Sequence, residues 1–148
     1  MNKPTEAKEK FLAGYACSQA VFSTFSKQTG MDELTALKVS SFFAGGMRIG
    51  GTCGAVTGAL MALGLKFSPD SCQIMDDRKA TYKFVGEFYS RFLERHKSLK
   101  CKELMGADIS TPEGRAEAES KNLHHTVCPV LVYDAAEILE EMLSIRKI

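Results

Sequence analysis

The chain has no tryptophan, only four prolines and no Cys-x-x-Cys pair. The missing pair weakens a zinc reading, because structural zinc sites generally draw their ligands from close pairs. Charge of one sign is missing too: 19 basic and 18 acidic residues leave a net charge of +1. That balance gives no electrostatic footprint for nucleic acid or for an anionic membrane. There is no Gly-x-Gly-x-x-Gly run, no Gly-Lys-Ser/Thr and no nucleophile-elbow serine. Nucleotide binding and serine hydrolysis therefore lack their usual sequence support. Residues 49–65 carry no formal charge but are repeatedly interrupted by glycine, so they read as a buried helix rather than a membrane span. Residues 1–10 are charged and lack the apolar core of a secretory signal. The expected location is a reducing cytoplasm, where structural disulfides are rare.

What is present is helical spacing. The 148 residues are 45% hydrophobic and 25% charged, enough apolar material for one domain, 1–148, with its own core. Phe11, Leu12, Tyr15, Val21, Phe22 and Phe25 share one face of a first helix ended by Gly30. Asp32 caps a second helix carrying Leu34, Leu37, Phe42 and Phe43. A third starts near Thr52, with small residues in two four-step stripes: Gly51, Ala55, Ala59 and Gly54, Gly58, Ala62. Such stripes let another backbone approach, within the chain or in a homodimer; packing within the chain is the favoured expectation. Ser68-Pro69-Asp70 signals a long fourth helix lined by Tyr82, Val85, Phe88, Tyr89 and Phe92. A short turn at Cys101, a polar helix from Thr111-Pro112 and a last helix from Cys128-Pro129 complete the chain. The fold class is all-α, a single-domain array or bundle of about five to seven helices, with room only for a short strand pair around Asp108.

Five cysteines stand out: Cys17, Cys53, Cys72, Cys101 and Cys128. An odd count fits full disulfide pairing poorly. The predicted map puts Cys53, Cys72, Cys101 and Cys128 at helix starts and Cys17 in mid-helix. Free N–H groups at a helix start favour negative charge and lower a thiol pKa. Singly, each cysteine is equally well a small buried hydrophobe, and Cys72 sits in an ordinary polar context. Arg48, five residues before Cys53, suits either a thiolate partner or a surface loop. His124 and His125 form His-His-x-x-Cys with Cys128, yet adjacent histidines do not easily face one ion, and a surface role is expected. His96 reads as a favourable charge at a helix C-terminus.

The order Cys17, the glycine-rich block from Gly51 to Gly58, Cys101 and Cys128-Pro129 resembles the redox-active protein family named for its C…GCAxxG…C…C pattern. The resemblance runs from Cys17 to the last helix. Two small departures are visible: Gly54 follows the central cysteine directly, and Thr52 separates that cysteine from Gly51. Cys72 is additional to the pattern. The resemblance implies a small helical redox-active protein, and a related domain of split-Soret cytochromes implies an iron–sulfur centre. On that basis Cys17, Cys53, Cys101 and Cys128 are the expected cofactor-binding or metal-ligating residues, for electron transfer or redox sensing with an unidentified redox partner protein. The residues themselves leave two alternatives: a metal-free thiol–disulfide protein, or a non-enzymatic helical interaction domain with structural cysteines.

Overall fold

The computed structural model describes residues 1–145, with the side chain of Ile145 left out. The helices are α1 (Lys3–Leu12), α2 (Cys17–Thr29), α3 (Glu33–Val39), α4 (Gly54–Phe67), α5 (Met75–Lys79), α6 (Lys83–His96), α7 (Cys101–Met105), α8 (Pro112–Ser120), α9 (Leu123–Thr126) and α10 (Cys128–Ile145). The all-α class holds, and no strand occurs among the described residues; the one trace of sheet is a single antiparallel bridge, Thr52 to Lys100, away from Asp108. No described helix is long and apolar enough to cross a membrane.

Helix α4 lies at the centre because it has little to expose. Its Gly54, Ala55, Val56, Gly58, Ala59, Ala62 and Leu63 are buried. Helix α2 covers the small-residue stripe so closely that a Cβ on Gly58 would stand 2.7 Å from the Ser18 carbonyl oxygen. The stripe is thus filled from within the chain. Helix α10 packs on α4, α2 and α6, and α1 lies across α10 and α2. Phe22, Phe25, Phe88, Phe92, Ile138, Leu139 and Met142 fill the middle, each burial contributing roughly 1.5–3 kcal/mol. At the α6–α10 seam, Arg95 reaches Glu137 at 2.8 Å and His96 Nε2 lies 2.7 Å from Asp134. His96 therefore has a specific carboxylate partner, beyond any helix-end effect.

Five expectations need correction. The run from Phe11 to Phe25 is two helices, because Gly14 takes φ 116° and Ala16 is extended. Cys17 is consequently the first residue of α2, not a mid-helix residue. Helix α3 stops at Val39, leaving Phe42 84% exposed rather than in the core. The predicted fourth helix is divided into α5 and α6. Cys72 falls in the turn before α5 and is exposed.

Candidate functional site

Some helix starts carry a side-chain cap and some carry a cysteine instead. Helices α1, α3 and α8 have side-chain caps: Asn2, Asp32 and Thr111 accept from the N–H groups of Thr5, Thr35 and Gly114 at 2.9 Å. Of the helices without a side-chain cap bond, α2 and α7 begin at a cysteine and α4 directly follows Cys53, whereas α5, α6 and α9 start without one. The Cys53 sulfur faces the N–H groups of Ala55 and Val56, where a cap oxygen would otherwise stand. Cys17 faces the N–H groups of Gly45, Ser18 and Gly54. Sulfur occupies places that anions favour.

These thiols meet. Cys17, Cys53, Cys101 and Cys128 line one mostly apolar cavity of about 210 Å³, closed further by Phe11, Ile109, Met105 and Leu131. The bridge explains half of the convergence. Cys53 N–H donates to Leu99 O at 2.7 Å, and Cys101 N–H donates to Gly51 O at 2.6 Å. Side chains alternate across such a ladder, so Cys53 and Cys101 emerge on the face opposite Thr52 and Lys100. They are diagonal neighbours, about 7–8 Å apart in a ladder of this kind. Helix α2 brings in Cys17, made possible by Gly54: a Cβ there would collide with Cys17 Sγ and lie 3.0 Å from Ala44 Cα. Helix α10 supplies Cys128. Cys72 takes no part; it lines a separate hollow with Phe67, Arg78 and Phe84.

Sequence reasoning missed Met105 at the cavity, and it gave His124 a surface role; His124 is exposed but also reaches the cavity. Its Nδ1 lies 4.0 Å from Cys128 Sγ. The i, i+4 spacing within His-His-x-x-Cys was the available signal: it puts one histidine on the cysteine's face. His125 does not line this cavity. Met105 has its sulfur 3.6 Å from Cys101 Sγ. Arg48 stands at the cavity wall, on a left-handed turn in which Gly45, Gly46, Met47 and Arg48 have φ of 67°, 60°, 58° and 66°.

The thiol electrostatics run against the expectation of lowered pKa values. Burial raises the Cys17 thiol, with only partial relief from its N–H neighbours. Burial, then the charge of Cys17, raises Cys53 well above the usual thiol value. Cys101 is pushed up to about 11 by burial and by Cys17, with Arg48 pulling the other way. Cys128 is pushed up to about 12 by burial, then Cys17 and Cys101. Desolvation outweighs the helix starts because the cavity lining is mostly apolar and its negative charges would repel. Cys17 is the shared neighbour, entering the electrostatics of the other three.

A reactivity order follows for the metal-free protein. At pH 8 the four cavity thiols are protonated, and iodoacetamide, which attacks thiolate, modifies exposed Cys72 first. The folded state holds these protons more tightly than an ordinary thiol of pKa 9.0. The associated stability is therefore complete below pH 9 and is lost as pH rises toward 11 and 12. Mass-mapped alkylation at pH 8 and 10 checks this; equal labelling of all five cysteines at pH 8 would contradict it.

All five cysteines are unbridged. Among the described residues, no group of three or more His, Cys, Asp or Glu side chains is gathered closely enough to hold a single metal ion. The sulfurs ring a hollow instead of converging on a point. Comparison with the curated proteins and with the solved structures finds no match. A family model does match residues 15–142, a span containing every cavity cysteine. The chain belongs to the family described as "Putative redox-active protein (C_GCAxxG_C_C)".

Proposed function

We propose that this redox-active family member holds an iron–sulfur centre through Cys17, Cys53, Cys101 and Cys128 and uses it for electron transfer or redox sensing. The observation that carries the reading is the shared cavity of four thiols. All-cysteine ligation suits iron–sulfur chemistry. Sulfurs spread around a hollow suit a centre of several atoms better than one ion. Charge argues the same way. Four thiolates in this cavity would repel strongly, and among the described residues Arg48 is the one Lys or Arg lining it. A bound cationic iron core supplies the missing positive charge and the one-electron chemistry. The chain's own part is to supply sulfur, to direct N–H groups at Cys17 and Cys53, and to exclude water with Phe11, Ile109 and Leu131. Those are the levers by which a protein sets a cluster's potential.

The second reading is a reversible disulfide, and the closeness of Cys17 Sγ to the residue after Cys53 favours that pair. Against it, thiols with raised pKa values are poor nucleophiles at neutral pH. Absorption spectroscopy on protein purified under nitrogen separates the two. Visible sulfur-to-iron bands that bleach on reduction are expected. A colourless protein that loses two titratable thiols on mild oxidation would instead establish the disulfide.

A further inference from the structure

We infer that a small anion binds in a second hollow that shares a wall with the thiol cavity. This hollow, about 330 Å³, is lined by Arg48, Arg115, His124 and His125, with Asn122 and one carboxylate, Glu119. Arg48, Ile109 and His124 belong to both hollows, so they form the partition between them.

The charge is what makes the hollow a site. Two guanidinium groups, Arg48 and Arg115, line it against one carboxylate, Glu119. Among the described residues no carboxylate pairs with Arg48 or Arg115. Arg115 is positioned by donating from Nη1 to the Ile109 carbonyl at 3.1 Å. His124 has Nδ1 toward Cys128, which leaves Nε2 as the unengaged ring nitrogen. Asn122, at φ 56°, turns the chain between Arg115 on α8 and the histidines on α9. Guanidinium groups favour carboxylates and oxyanions, which accept two parallel N–H bonds.

The left-handed turn that carries Arg48 adds a second line of support. Left-handed geometry is disfavoured for residues with a Cβ, and here Met47 and Arg48 adopt it in succession. Glycine at Arg48 would fit this backbone better than arginine does. Strain of this kind persists where a side chain must be held in place. The turn lays the guanidinium over Gly45, where a Cβ would stand 3.0 Å from Arg48 Nη1. The ligand class is a small carboxylate or tetrahedral oxyanion, bound next to the thiols but not among them.

The claim does not depend on a cluster and is read on the full chain in its reduced, metal-free form. Isothermal titration with sodium sulfate and with sodium malonate, each against sodium chloride at matched ionic strength, is the test. One saturable site per chain is expected for at least one anion; sulfate preference identifies an oxyanion site and malonate preference a carboxylate site. R48G is expected to melt higher than the parent while its anion affinity falls at least about tenfold, the loss of one charged hydrogen-bonding group. R115Q is expected to weaken binding similarly. No saturable binding of either anion to the parent chain, or undiminished binding by both variants, would overturn the inference.

Discussion

Gly58→Ala is expected to destabilise the fold by about 2 kcal/mol, although alanine is the better helix former. The propensity gain is about 1 kcal/mol. Opposing it, the new methyl would stand 2.7 Å from Ser18 O and 3.3 Å from Ser18 Cα. Those are backbone atoms of α2, so the contact is relieved only by moving a helix. Ser18 is itself fixed: it is fully buried, and its hydroxyl donates to the Ser40 carbonyl at 2.7 Å. Overpacking of this kind costs up to about 3 kcal/mol. Gly86→Ala supplies the contrast. It lies on α6 with nothing within 4 Å of the new methyl, so only the gain of up to about 1 kcal/mol remains. Urea midpoints should move in opposite directions for the two variants. Equal shifts would mean that the α2–α4 contact is looser than described.

The second large effect concerns the thiols. Serine at any one of Cys17, Cys53, Cys101 or Cys128 is expected to abolish retention of iron and sulfide, while Cys72→Ser leaves both unchanged. A serine hydroxyl resists deprotonation and is a harder ligand than thiolate. Each substitution removes one quarter of the donor set without changing side-chain size greatly. Cys72 lies in a different hollow and is exposed. Circular dichroism on the same samples separates a lost centre from a lost fold. Loss of iron in the Cys72 variant, or full retention in two or more of the others, would contradict the assignment of one shared set.

The fold class, the small-residue stripe and the start of α8 at Thr111 were legible because periodicity and capping are local properties. Helix interruptions were less legible. The break at Gly14 lies inside a run whose apolar spacing continues across it, and the division between α5 and α6 follows a polar stretch, Asp76 to Thr81, that carries no glycine or proline to mark it. Phe42 looked like core because it is aromatic and near the helix; the termination of α3 at Val39 turns it outward. For the site, cysteine order singled out the four positions, but their convergence depends on tertiary devices. One is the Thr52–Lys100 bridge and the other the close approach of Cys17 to Gly54. The direction of the pKa shifts was not legible either. Helix starts are visible in sequence, whereas burial is a property of the assembled cavity, and burial prevails. Arg48 was visible as a lone charge, but its place between two hollows depends on a left-handed turn that no sequence pattern announces.

The account rests on four distant sulfurs acting as one set. Iron and acid-labile sulfide measured per chain, on protein purified under nitrogen, tests it most directly. The prediction is that both are present in comparable amounts. Neither iron nor sulfide, with all five thiols still titratable after mild oxidation, would contradict it.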